Sequence, residues 1–263
     1  VGSGDHTSMA CIPEDAYGKA HLLVKQAGIL AGVEIAVEVF KFFDPEIELD
    51  VFIEDGSKVH PGDIVLHARG KSRSLLTAER TVLNFMQRMS GIATETNRFA
   101  EAVKRYKAKI LDTRKTTPGL RLVEKEAIRL GGGVNHRIGL YDMIIIKDNH
   151  IDFAGGIPNA ISRVRQYLQE NNLDLKIEVE VRNLEELDVV LETGGISRIM
   201  LDNFSVGNTR IAVEKIAGRY EIESSGGITL YNVADYAACG VDFISIGALT
   251  HHISSLDLSL KAF

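Results

Sequence analysis

Tryptophan is absent from this 263-residue chain, and cysteine nearly so, with only Cys11 and Cys239. Two thiols so far apart in sequence supply neither a disulfide framework nor a zinc site, and they predict a reducing compartment. No stretch approaches the roughly 20 apolar residues that span a bilayer. No basic, apolar, small-residue leader opens the chain. These absences predict a cytoplasmic protein. Positive charge is also in short supply, 30 Lys and Arg against 36 Asp and Glu, a net charge of -6. That balance argues against a sequence-independent nucleic-acid binder, which needs a basic face. An anionic ligand has to be met by a local cluster of cations. What remains is ordinary for one large or two modest soluble domains, 45% apolar and 25% charged. Val1 in place of methionine predicts that residues precede it.

Along the chain, residues 12–43 give mixed signals, and VEIAVEVFKFF fits a strand or a short helix before Asp44-Pro45 breaks the rhythm. IELDVFIEDGSKVHPGDIVLHARG holds strand-like runs separated by Asp55-Gly56 and Pro61-Gly62-Asp63, which predicts antiparallel sheet. Leu75, Leu76, Val82, Leu83, Phe85, Met86, Met89, Ile92 and Phe99 then recur at helical spacing, with a bend or break expected at Ser90-Gly91. From Lys109 the pattern changes. KILDTR, DMIIIKD, LKIEVEV, RIMLDN, YEIESSGG and DFISIGAL alternate with helix-length segments, which implies βα units and a parallel sheet. Polar residues close nearly every run: Arg114, Lys147, Glu180, Asp202, Ser225 and Gly247. Recurrence at almost every strand end favours a barrel over an open sheet with one switch point.

The chemistry concentrates between Lys109 and His150. Arg114-Lys115, His136-Arg137 and Lys147 are three basic positions within about forty residues of an acidic chain, and Thr116 and Thr117 are placed to cap a helix beginning near Leu120. An isolated basic pair is usually a solvated helix start, but three together favour an anion site for a small polycarboxylate or phosphate. Glu178 and Glu180 fall on one side of a strand. Glu180 and Asp202 have two readings, magnesium or sugar-hydroxyl ligands, or ion-pair partners of Arg114 or Lys147. Ser225-Gly226-Gly227 and Gly247-Ala248 close the last two strands and suit a phosphate held by backbone N–H groups. His251-His252 lacks spaced metal partners and is assigned a structural or exposed role. Gly131 to Gly133 lack the frame of a dinucleotide fingerprint, and no Walker motif occurs.

These blocks, with GDHTS at 4–8, LLTAERTVLNFMQRMSGIAT, DTRKTTPGLRLVEKEAIRLGGGVNHRIGLYDMIIIKDNHI, IEVEV, IMLDNF, ESSGGI and ISIGALTH, resemble the quinolinate phosphoribosyltransferases over nearly the whole chain. The resemblance implies an α/β fold: an open-faced α/β sandwich in residues 1–105, to which 252–263 return, and an incomplete seven-stranded α/β barrel in 106–251. It implies transfer of phosphoribosyl from phosphoribosyl pyrophosphate to quinolinate with decarboxylation, in NAD biosynthesis. Also implied are magnesium as cofactor and a homodimer with a shared active site that admits higher assembly. Quinolinate would meet Arg114, His136, Arg137 and Lys147, with Arg80 of the partner subunit. Phosphoribosyl pyrophosphate would meet Lys115, Glu180, Asp202, Ser225, Gly226, Gly227, Gly247 and Ala248. Lys115, Lys147, Glu180 and Asp202 would be catalytic, and Glu180 and Asp202 would serve the metal. The rival readings are a Schiff-base lyase acting through Lys147 and a non-catalytic or transport-accessory relative on the same fold.

Overall fold

The computed structural model describes residues 1–263. In chain order its elements are α1 (His6–Cys11), β1 (Tyr17–Val24), β2 (Gly28–Ile29), α2 (Val33–Phe43), β3 (Glu48–Val51), β4 (Lys58–Val59), β5 (Ile64–Lys71) and α3 (Ser72–Val103). There follow β6 (Lys109–Leu111), α4 (Arg121–Leu130), β7 (Ile144–Ile146), α5 (Asp148–Ala154), α6 (Ile157–Glu170), β8 (Ile177–Val181) and α7 (Leu184–Thr193). The chain closes with β9 (Arg198–Asp202), α8 (Val206–Ile216), β10 (Glu221–Ser225), α9 (Val233–Ala238), β11 (Phe243–Ser245), α10 (Ala248–His251) and β12 (Leu258–Ala262). It divides into two compact units. The first comprises Val1–Asn97, Leu122–Gly132 and His252–Phe263, and the second comprises Arg98–Arg121 and Gly133–His251. A division at 105/106 thus differs from the observed one, because α3 runs through Asn97 as continuous helix and α4 groups with the first unit. Within that unit the buried Glu124 of α4 accepts Arg88 of α3 at 2.5 and 2.9 Å.

The first unit carries a four-stranded antiparallel sheet in the order β12-β1-β5-β3. Period-2 alternation turns Ala20, Leu22 and Val24 of β1 inward, while His21 faces the opposite side. That opposite side carries the rings of His21, His67, Phe52 and Phe263. On the inner face Leu22, Val24, Leu66 and Ala68 pack with Val33, Ala36 and Phe40 of α2 and with Leu75, Ala78, Val82 and Met86 of α3. Phe40 is fully buried, a contribution of about 1.5–3 kcal/mol relative to exposure. The ambiguous segment before Asp44 is therefore helix, since Val33, Ala36 and Phe40 share one face only at helical spacing.

α3 passes through Ser90-Gly91 without a break, contrary to expectation. Ser90 is fully buried, but its hydroxyl accepts the Ala31 N–H at 2.9 Å and lies 3.1 Å from the Ala31 carbonyl, so it does not compete for its own helix. Gly91 faces the backbone of Ser254 and Ser255, and a Cβ there would overlap the Ser254 carbonyl. Its smallness serves a close approach rather than a bend.

In the second unit six strands form one parallel sheet in the order β6-β11-β10-β9-β8-β7. Sequential strands from β7 to β11 are neighbours and β11 returns to β6, the order of a barrel. On the far side of β6 a single parallel bridge joins Leu111 to Val134. The seventh strand is reduced to that bridge, and no ladder links it to β7, so the barrel is incomplete. α3 has 32 residues, yet no helix is long and apolar enough to cross a membrane.

Gly91→Ala is expected to lower stability by about 1–3 kcal/mol through overpacking against backbone. Thermal denaturation checks it, and an unchanged midpoint would refute the close-approach role.

Candidate functional site

Within the second unit, polar side chains gather where β6, β7, β8, β9, β10 and β11 end. After β6, Thr113 Oγ1 accepts the Lys115 N–H at 3.1 Å, and the Lys115 carbonyl accepts the Thr250 hydroxyl at 2.7 Å. Lys115 is thereby tied to the loop that follows β11. A Cβ built on Gly247 would lie 3.1 Å from His251 Nε2 and 3.3 Å from Lys115 Cδ, so these side chains flank the glycine. His251, set aside on sequence spacing, is a neighbour of this loop. The hydroxyl of Thr116 accepts the Arg121 guanidinium at 3.1 Å, and α4 begins at Arg121, one residue past the expected start.

The loop after Val134 is held by side chains. Asp112, fully buried at the end of β6, accepts the His136 N–H at 2.8 Å. His136 Nδ1 accepts the Arg137 N–H at 2.7 Å, and Arg137 Nη1 donates to the Met143 carbonyl at 2.9 Å. The Nε atoms of Arg114 and Arg137 are buried with no hydrogen-bond partner. Arg137 is held below the usual arginine range, first by burial and then by the charge of Arg114. Arg114 thus lies close enough for its charge to act on Arg137, and each has a buried donor to spare, which favours an anion near them.

Lys147 and Glu180, at the ends of β7 and β8, form an ion pair of 2.9 Å. Asp202, closing β9, accepts the Asn203 side-chain amide at 2.8 Å. Gly226, just past β10, has φ +90°, and a Cβ there would overlap Asn203 Oδ1, so the Ser225-Gly226-Gly227 turn lies against the end of β9. Glu180 and Asp202 offer hard carboxylate oxygens, the donor type magnesium takes, with one oxygen of Glu180 engaged by Lys147.

Deeper in the barrel lies a charged cluster that strand-end reasoning did not anticipate. Glu178 and Glu223 have no solvent exposure. Their Oε2 atoms are 3.0 and 3.3 Å from His136 Nε2. Arg198 reaches Glu223 and Glu221, both at 3.1 Å, and stacks 4.0 Å above the Phe243 ring. The signal was present in the alternation Glu221-Ile222-Glu223, which matches Glu178-Val179-Glu180. The three ligating groups lie within 4.8 Å of one another, as a metal set would. Arg198 already supplies a positive charge to Glu223, so the trio is a buried cluster of close-packed ionisable groups.

Two family models cover the chain, the quinolinate phosphoribosyl transferase N-terminal domain over residues 5–90 and the C-terminal domain over 92–261. A quinolinate phosphoribosyltransferase [decarboxylating] 1b of Nicotiana tabacum is 48% identical over 98% of this chain and 77% of its own length. The chain belongs to the quinolinate phosphoribosyltransferase family. A nicotinate-nucleotide pyrophosphorylase [carboxylating] of Mycobacterium leprae is 43% identical over 97% of this chain and 90% of that one. The crystal structure of NadC from Streptococcus pyogenes matches with a TM-score of 0.94 at 41% identity, covering 99% of this chain and 91% of that one. Of the residues that resemblance to the quinolinate phosphoribosyltransferases singled out, the structure joins Lys115 to the Gly247 loop and Lys147 to Glu180, and sets Arg114 near enough for its charge to act on Arg137. His136 it turns inward, toward carboxylates rather than toward the two guanidiniums. Arg80 is exposed on α3, in the first unit.

Burial opposes charge on His136 and the two carboxylates favour it, but Nδ1 accepts the Arg137 N–H and so carries no proton, which leaves the ring neutral with its proton on Nε2. Burial and Glu223 raise Glu178 to about 7. Because Nδ1 accepts an N–H, the proton the cluster retains is held on the Nε2 and carboxylate side. Glu223 is held below its ordinary range, since hydrogen bonding to His136 overcomes burial. Glu178 binds its proton more tightly folded than unfolded, so its stabilisation is complete at low pH and is lost as pH rises. Stability should therefore decline from about pH 4.5 to about 7. Glu178→Gln should flatten that decline in denaturation measured across pH, and an unaltered slope would reject the assignment.

Proposed function

We propose that this chain transfers phosphoribosyl from phosphoribosyl pyrophosphate to quinolinate with decarboxylation, giving nicotinate mononucleotide, pyrophosphate and carbon dioxide in NAD biosynthesis. The observation that carries the reading is the adjacency of Arg114 and Arg137, each with a buried, unpartnered Nε. A dicarboxylate offers two anionic groups to such a pair, and fixed cations orient its ring nitrogen toward the ribose carbon. Lys147 completes the pyridine side. Lys115, the Ser225-Gly226-Gly227 turn and Gly247-Ala248 serve the phosphates of the donor, with His251 beside Gly247 as a further donor.

The ring nitrogen forms a bond to the ribose carbon as the bond to pyrophosphate breaks, and positive charge develops on the ribose. Glu180 and Asp202 stabilise that charge or hold the ribose hydroxyls. They also suit magnesium, which would neutralise the leaving pyrophosphate. Loss of carbon dioxide leaves an electron pair on the ring carbon, which takes a proton. Lys147 is the better placed donor, because both ring nitrogens of His136 are engaged within the protein. Lys147 is also ion-paired with Glu180, whereas a Schiff-base nucleophile must be a neutral amine, which disfavours the lyase reading.

We further propose a homodimer in which Arg80 of the partner subunit completes the quinolinate site. The exposed guanidinium of Arg80 on α3 supports it. A cytoplasmic setting is supported by the two free cysteines.

Purified protein given quinolinate, phosphoribosyl pyrophosphate and magnesium should form nicotinate mononucleotide and release carbon dioxide. Nicotinate in place of quinolinate should give no product. Arg114→Ala should weaken quinolinate binding at least about tenfold, since each charge-assisted bond contributes about 1.5–3 kcal/mol. Unchanged affinity by titration would reject the role of Arg114.

A further inference from the structure

Resting on the transferase reading above, we propose that Glu178 and Glu223 are positioning residues that turn the His136 ring so that it anchors the Arg137 backbone and sets Arg137 in the quinolinate site. The argument starts from the open edge of the barrel. The segment holding His136 and Arg137 follows a single bridge, Leu111 to Val134, and has no ladder to β7. Main-chain pairing stops at Val134, whose N–H donates to the Ile110 carbonyl at 2.8 Å and whose carbonyl accepts the Asp112 N–H at 3.3 Å. Beyond Val134 side chains hold the segment. Asp112 receives the His136 N–H, the ring receives the Arg137 N–H, and the Asp142 carboxylate receives the N–H groups of Ile138 and Gly139 at 2.8 and 2.9 Å.

The ring can receive the Arg137 N–H only if Nδ1 is unprotonated and turned toward the backbone. An imidazole flips readily between orientations unless its other nitrogen is held. Here Nε2 faces a pair of carboxylates contributed by β8 and β10, 3.0 and 3.3 Å away. Glu223 is steadied by Arg198 of β9 and lies beside the Ser245 hydroxyl of β11. Fully buried carboxylates are costly, and apolar residues of similar volume often stabilise a core as well or better. Their place here is accounted for by orientation: they make one ring rotamer and one tautomer far better than the rest. His136 then acts on the ligand through Arg137, as a hinge pin for the loop.

The test compares Glu178→Leu and Glu223→Leu, which remove the acceptor, with Glu178→Gln and Glu223→Gln, which keep an acceptor oxygen. The leucine variants should raise the KM for quinolinate about tenfold or more, while the KM for phosphoribosyl pyrophosphate moves by less than about twofold. The glutamine variants should recover most of the loss. Nitrogen NMR of the His136 ring should show a protonated Nε2 and an unprotonated Nδ1 in wild type, with the Arg137 amide protected from exchange. An equal rise in both KM values, glutamine variants no better than leucine, or a protonated Nδ1 would overturn the proposal. Should the leucine variants not fold, the glutamine variants and the wild-type spectrum decide. Absence of wild-type turnover would reject the transferase reading itself. The positioning role would then be overturned by an unprotected Arg137 amide and upheld by a protected one.

Discussion

Two carboxylates without solvent exposure, Glu178 and Glu223, are the costliest groups in the barrel, and much of the second unit is arranged so that they are not left alone. Arg198 meets Glu223 from β9 and is itself braced by Glu221 and the Phe243 ring. His136 meets both carboxylates from a loop rather than a strand. That loop is consequently held where the ring can reach them. A charged core, unusual where branched apolar side chains ordinarily fill a barrel, thus does the positioning that a missing seventh strand would otherwise do.

Above this core the charges are arranged for a ligand rather than for the fold. Burial and the charge of Arg114 lower the proton affinity of Arg137, and both side chains leave a buried donor unmet, an arrangement costly by itself and favourable beside an anion. Lys147 and Glu180 neutralise each other at neighbouring strand ends. Lys115 is drawn to the Gly247 loop by the Thr250 hydroxyl, so the β6 and β11 ends act as one surface. The proposed two-substrate site divides along these lines, with the guanidiniums on one side and a lysine with glycine turns on the other.

The first unit follows a different logic. Its sheet is apolar on one face and carries histidines and aromatic rings on the other, and two helices cover the apolar face alone. Residues that look like breakers in α3 are contacts instead. Ser90 satisfies both backbone groups of Ala31, and Gly91 admits the chain near Ser254.

Periodicity by itself determined the helical run of α3, the antiparallel hairpin region and the six parallel strands with their polar ends, because which face a side chain presents depends on nearest neighbours in the chain. Residue type marked Arg114, Lys115, Arg137, Lys147, Glu180 and Asp202, since clustered cations in an acidic chain need an anion. The family resemblance supplied the ligand identities. Only tertiary structure decided that the seventh strand is one bridge, that α4 groups with the first unit, and that His251 flanks Gly247. It alone turned His136 away from the cations. A ring nitrogen goes to whichever acceptors the fold brings within about 3 Å, and Glu178 and Glu223 lie 42 and 87 residues along the chain from His136. No local pattern encodes a meeting made by closing a barrel.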